Sequence, residues 1–165
     1  MLTLEEQLTL MKGLIREAHK GQWYGNSLYT VHLITTQRNF DTLEMYDNGE
    51  DWFLGQISCL GHDLIEDTYV TKEYLIDKGF DERVVEAIDL VTKKEGLSYK
   101  DYLRKISENE LAWKVKVADT YSNLTQSMID SDDKRVRKYS SQLELLYKYK
   151  SWEEWDVYRR RPFIL

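Results

Sequence analysis

Polar residues that interrupt apolar stretches are the first signal of chemistry in this sequence. His32 ends Tyr29-Thr30-Val31-His32, and the doublet His62-Asp63 sits within Leu60-Gly61-His62-Asp63-Leu64-Ile65-Glu66-Asp67-Thr68. Asp119 lies in Lys116-Val117-Ala118-Asp119-Thr120-Tyr121-Ser122-Asn123-Leu124. An unpaired imidazole or carboxylate is costly to bury, and convergence on one cation gives all of them a partner. Nitrogen and oxygen ligands without a thiolate suit Mn²⁺, Fe²⁺ or Co²⁺ and leave Zn²⁺ open. Such a cation lowers the pKa of a bound water. Glu66 and Asp67 follow the doublet within one turn, where either can orient that water or take its proton. On a continuous helix His62 lies over Glu66 and Asp63 over Asp67. Carboxylates at a helix end oppose its dipole, and a bound metal supplies the missing positive charge. A single His-Asp doublet is equally what an ordinary solvated helix end shows. The dispersion of His32 and Asp119 across the chain is what favours the metal.

The elements that must position these residues are helical. The only proline is Pro162, and apolar residues recur at helical spacing almost throughout, which predicts an all-α bundle of about seven to nine helices around a metal site. Thr3 and Glu6 have capping-box spacing and open a helix through Leu8, Met11, Leu14 and Ile15 to about His19, a residue placed favourably for the helix dipole. Gly21 to Ser27 reads as a loop, followed by a short helix that carries His32. After the turn signal Asp47-Asn48-Gly49, Phe53, Ile57, Leu60 and Leu64 mark a central helix with buried Cys59, the single cysteine. Thr71 and Asp81 cap the next helices, with Gly79 between them, and Ser98 opens another. A longer helix runs from Leu111 to about Ile129, and Val136, Tyr139, Leu143 and Leu146 mark the last.

The 165 residues fit one domain spanning 1–165, and 42% hydrophobic content is ample for a core. A formal charge of -6 opposes broad binding to DNA, RNA or anionic lipid. The charged N-terminus lacks the apolar core of a signal peptide, and no apolar run approaches a membrane span, so a cytoplasmic location is expected.

Several blocks resemble a known family in order and approximate spacing. Ala18-His19-Lys20-Gly21-Gln22, Tyr29-Thr30-Val31-His32, Leu60 to Thr68, Val91-Thr92-Lys93, and Lys116 to Leu124 are similar to the HD phosphohydrolases, and more narrowly to the hydrolase domain of the RelA/SpoT homologues and small alarmone hydrolases. The likeness covers about residues 14–130, and five blocks together are far more specific than any one. It implies that His32, His62, Asp63 and Asp119 ligate one metal, commonly manganese, and that Glu66 and Asp67 are the catalytic pair. It also implies removal of pyrophosphate from the 3′ position of guanosine tetra- or pentaphosphate.

The pocket departs from that pattern. Trp23-Tyr24-Gly25-Asn26-Ser27-Leu28 stands where the family carries a basic pair and then a proline. Leu33 replaces a second proline, Thr120 a common Arg and Ser122 a frequent His. Trp23 or Tyr24 is therefore expected to stack on a nucleobase, with core packing as the competing role. Lys93 and Lys116 are candidates to meet phosphates, whereas Lys94 reads as an exposed lysine. Asn123, one turn after Asp119, can hydrogen-bond a nucleotide or a metal-bound water, or cap the core. Other readings are a different HD nucleotidase or phosphodiesterase, an NADPH phosphatase, or an HD protein that binds a nucleotide or protein without turnover. The aromatic and basic C-terminus, Trp152 to Leu165, is a candidate surface for a homo-oligomer as well as for packing on its own domain.

Overall fold

The computed structural model describes residues 2–150. The described residues are all-α apart from one hairpin of two two-residue strands. Helix α1, Leu4–Ala18, starts at the capping box: Thr3 Oγ1 accepts from the Glu6 N–H at 3.2 Å, and Glu6 accepts from the Thr3 N–H at 2.7 Å. The expected loop contains the antiparallel pair β1, Trp23–Tyr24, and β2, Ser27–Leu28, turned at Gly25 with φ +57°. Positive φ there is what glycine supplies in a tight hairpin.

Helix α2, Tyr29–Thr42, is longer than the short helix expected. Its sequence is rich in Thr, Val and Ile, which have modest helix propensity. Tertiary packing overrides that preference. Leu33, Thr36 and Phe40 form a fully buried stripe, while the Thr35 and Thr42 hydroxyls donate to the carbonyls of Val31 and Arg38 on the outside.

Side chains cap the later helices, at Thr71, Asp81 and Ser98 as expected and also at Asn48, Asn109 and Asp132. Asn48 caps α3, Gly49–Gly61, and a single turn, α4, Leu64–Asp67, follows it. Thr71 caps α5, Lys72–Asp77, and Asp81 caps α6, Glu82–Val91. Ser98 caps α7, Tyr99–Ser107, Asn109 caps α8, Glu110–Ile129, and Asp132 caps α9, Asp133–Tyr149. Each accepts a backbone N–H that the first helical turn leaves unpaired.

The centre is shared rather than held by α3 alone. Helix α8 packs on α2, α3, α6, α7 and α9, and α3 packs on α1, α2, α6 and α8. Two apolar clusters result, one around α1, α3, α5 and α6, the other around α7, α8 and α9. Helix α3 contributes Leu60 to the first and Cys59 to the second, immediately before His62. Among the described residues no helix is long and apolar enough to cross a membrane. The aromatic C-terminus, with the oligomer surface expected of it, lies outside the described residues.

The approach of α2 to α3 depends on Gly55, where a Cβ would stand 1.9 Å from Phe40 Cζ. Gly55→Ala is therefore expected to destabilise by about 1–3 kcal/mol through overpacking, although Ala is the better helix former. Gly13→Ala on exposed α1, with nothing within 4 Å of the new Cβ, is expected to stabilise slightly. Thermal unfolding of the two variants checks this: a Gly55→Ala melting temperature at or above the parent's would mean that the helices do not need this close approach.

Candidate metal centre

Helix α3 ends one residue before the doublet. His62 is its C-cap, and Asp63 turns to φ −99° and ψ 1° before α4 begins. The continuous helix expected through Asp67 is broken here, so the stacking of His62 on Glu66 that it implied does not apply. The break lies in the sparsely populated bridge region of backbone space. It also leaves the last carbonyls of α3 in need of donors. His62 Nδ1–H donates to the Cys59 carbonyl at 2.7 Å, because a carbonyl can only accept. That fixes the tautomer and turns the lone pair of Nε2 into the interior.

Three chain segments bring their ligand atoms to that point. His32 Nε2, from α2, lies 3.3 Å from Asp119 Oδ1 and 3.6 Å from Asp63 Oδ2. His62 Nε2 lies 3.4 Å and 3.1 Å from the same two atoms. Ligand atoms of His32, His62 and Asp119 all fall within 4.8 Å of one another, and all three residues are buried. Yet His62 Nε2 makes no hydrogen bond, since neither carboxylate meets it in bonding geometry. A buried, orphaned imidazole nitrogen facing two carboxylates and a second imidazole fits a divalent cation.

The surroundings tune these ligands. Burial alone would raise the Asp119 carboxyl, but the Lys116 ammonium at 2.9 Å and the two imidazoles hold it well below the usual range. Burial would likewise depress His62, and Asp63 and Asp119 overcome it, so its pKa lies well above that of a free imidazole. Asp63 is lowered against its burial chiefly by His62. Asn123 Nδ2 donates to Asp119 Oδ1 at 2.6 Å. His32 Nδ1 lies 3.2 Å from Ser122 Oγ, in the position where the sequence departs from a His.

The centre opens into a cleft of about 370 Å³ whose lining includes Tyr24, Glu66, Asp67, Lys93, Lys116 and Asn123. A larger cavity of about 1140 Å³ between the start of α1, α5 and α6 contains no His or Cys, so the smaller one is the chemical site. Glu66 Oε2 accepts the Lys93 N–H at 3.0 Å. Trp23 is 64% exposed and does not line the cleft. Tyr24 stacks on His32 at 4.5 Å between centroids, donates to Asn123 Oδ1, and accepts from Arg135 Nη2 at 2.9 Å. Burial pushes its phenol up to about 12, so it stays protonated. Lys94 pairs with Asp89 at 2.9 Å and is exposed. Lys138 and Gln142, which no sequence signal singles out for the site, and Tyr29 also line the cleft, as do Tyr99 and Tyr139, whose spacing reads as apolar helix positions. Tyr29 stood within a matched block, the one signal that marked it. His19 is buried and stacked on Tyr29 at 4.7 Å, a contact the helix dipole did not foretell.

No family model and no curated protein sequence matches the chain. Solved structures do match. One is described as a metazoan ortholog of SpoT that hydrolyzes ppGpp and plays a role in starvation responses. It is 19% identical, covers 96% of this chain and 97% of its own, and superposes with a TM-score of 0.66. The likeness shows a shared fold, an all-α bundle as anticipated, in which His32, His62 and Asp119 form a buried cluster able to hold a metal ion.

Elemental analysis is expected to find one divalent transition metal per chain, and Asp63→Ala to reduce it severely. Because His62 holds its proton well above the ordinary range, metal uptake near neutral pH displaces that proton, so affinity rises as pH rises. Titration calorimetry in buffers of differing ionisation enthalpy reads the proton. Metal binding without proton release or pH dependence would mean that His62 already presents a neutral Nε2 before the cation arrives, whereas unchanged metal content in His62→Ala would remove it from the ligand set.

Proposed function

We propose that this chain is a metal-dependent phosphohydrolase acting on a nucleotide, with guanosine 3′,5′-bis(diphosphate) as the favoured substrate and its 3′ pyrophosphate as the group removed. The observation that carries the reading is the orphaned Nε2 of His62, aimed at His32, Asp63 and Asp119 beside a cleft lined by Glu66 and Asp67. The solved relative said to hydrolyze ppGpp supports the substrate class.

In this reading His32, His62, Asp63 and Asp119 hold one divalent metal, Mn²⁺ being favoured over Fe²⁺, Co²⁺ or Zn²⁺. When bound, the metal supplies a more acidic water and an electrophilic hold on a phosphoryl oxygen. Glu66 or Asp67 orients the attacking water and takes its proton as the oxygen bonds to phosphorus; the bond to the 3′ oxygen breaks, and that oxygen leaves with the proton returned to it. Lys116 keeps Asp119 anionic at 2.9 Å and acts through that ligand. Lys93, on the same wall as Glu66, meets substrate phosphate, and Asn123 links Asp119 to Tyr24. The chain then works as one HD unit in the cytoplasm on a small-molecule substrate rather than on DNA or RNA.

A second reading is another nucleotide phosphate such as a cyclic nucleotide or NADPH, since Tyr24 is not placed to select guanine. One face of its ring already rests on His32 and its hydroxyl is engaged twice, an arrangement that differs from the free stacking platform expected for a nucleobase. A screen of metal-loaded protein against guanosine polyphosphates, cyclic nucleotides and dinucleotide phosphates separates the readings, and binding without turnover would support a non-catalytic role.

Glu66→Gln and Asp67→Asn are each expected to retain metal and lower turnover by about 10²–10⁴-fold. Metal content and steady-state rates on the substrate found in the screen measure both effects. Parental turnover in the double variant would assign the proton transfer elsewhere.

A further inference from the structure

Tyr29, the first residue of α2, stands between the metal centre and the carboxylate pair. Its hydroxyl lies 2.8 Å from Asp63 Oδ2 and 2.6 Å from Asp67 Oδ2. A phenol has one proton to donate. Asp63 Oδ2 is also the atom that faces both imidazoles, so a cation held there takes up its negative charge. The phenol proton is then left to Asp67.

The ring is held for this task by a closed circuit of contacts. It stacks on His19 with an interplanar angle of 3°. His19 Nδ1 donates to Gln22 Oε1 at 2.7 Å, the amide oxygen being an acceptor only, and Gln22 Nε2 donates to the Asp67 carbonyl at 2.9 Å. Asp67 is therefore tied at its backbone through Gln22 and at its carboxylate through Tyr29, and both ties lead to His19. These residues come from the end of α1, the strand-bearing loop, the start of α2, and α4.

We infer that Tyr29 is a positioning residue whose hydroxyl couples cation binding at Asp63 to the orientation of the Asp67 carboxylate. The inference rests on the metal-binding reading above. Without the cation, Asp63 and Asp67 compete for the hydrogen bond of one phenol O–H; with it, Asp67 alone accepts that hydrogen bond and its other oxygen is directed to the cleft. Coupling of this kind is reciprocal, so a change at Asp67 alters metal affinity only while the hydroxyl is present.

The test is a double-mutant cycle read by Mn²⁺ or Co²⁺ titration on the full chain, which needs no turnover. Parent, Tyr29→Phe, Asp67→Ala and the double variant are compared. Tyr29→Phe keeps the ring and its stack on His19, and Asp67 is exposed, so folding is retained; Asp67→Asn repeats the cycle should the alanine variant unfold. Asp67→Ala is expected to change the metal dissociation constant by about threefold or more in the parent and far less in Tyr29→Phe. In parallel, Tyr29→Phe is expected to lower kcat about tenfold with KM little changed, the signature of a lost transition-state interaction. An additive cycle in an active enzyme overturns the coupling alone. A non-additive cycle in a protein that turns over no nucleotide upholds the coupling and removes the proposed activity, and a chain that binds neither metal overturns both.

Discussion

Two carboxylates and two imidazoles cannot share a dry space without added positive charge, and much of this structure follows from that constraint. Like charges about 4 Å apart repel by roughly 4 kcal/mol even at an effective dielectric of 20. Lys116, one turn before Asp119 on α8, offsets part of this from the outer side, and the facing imidazoles offset more. What remains is a preference for a cation between His62 Nε2, a buried nitrogen that makes no hydrogen bond, and the carboxylates beside it. The backbone serves the same end. The break at Asp63 frees the Cys59 carbonyl to fix the His62 tautomer, and the close α2 to α3 contact at Gly55 brings His32 within reach.

Packing turns that constraint into geometry. Helices α2, α3 and α8 meet pairwise, and Asn39 Nδ2 donates to the Ala118 carbonyl at 3.1 Å, fixing the register of α2 against α8 one residue from a ligand. Apolar residues on either side, Leu60 in one cluster and Ala118 in the other, leave the ligands little freedom to adjust. Preorganisation of this kind lets a site hold charge without reorganising at the moment of reaction.

What the sequence discloses divides along physical lines. Caps at Thr3, Thr71, Asp81 and Ser98 were legible because a side chain answers a backbone N–H two or three residues away. The polar residues of the centre were legible because they break apolar stripes. The length of α2 was not, since β-branched residues argue locally against helix and only burial of Leu33, Thr36 and Phe40 argues for it. Nor was the break after Gly61, which no proline marks and which depends on a carbonyl finding His62. The pairing of Lys116 with Asp119 was readable in principle from i, i+3 spacing on one helix, but a lysine in a matched block invited a phosphate instead. The contacts of Tyr24 and Tyr29 join residues far apart in the chain and had no local signature.

The same division explains why resemblance to a family persists at the metal and fades at the cleft mouth. Each candidate ligand answers to several partners at once: His62 to the Cys59 carbonyl and two carboxylates, Asp119 to Lys116, Asn123 and two imidazoles. Few substitutions satisfy so many conditions. The mouth is built on a two-residue hairpin and the outer turns of α9, where exposed positions tolerate change. The two regions are nevertheless joined. Arg135 on α9 donates to the Tyr24 hydroxyl, Tyr24 donates to Asn123, and Asn123 donates to Asp119. A cation that the hairpin itself lacks is thus brought to Tyr24 from α9. The hairpin, α9 and α8 are tied by three consecutive hydrogen bonds that end on the buried Asp119 carboxylate, so the mouth and the centre share one polar network.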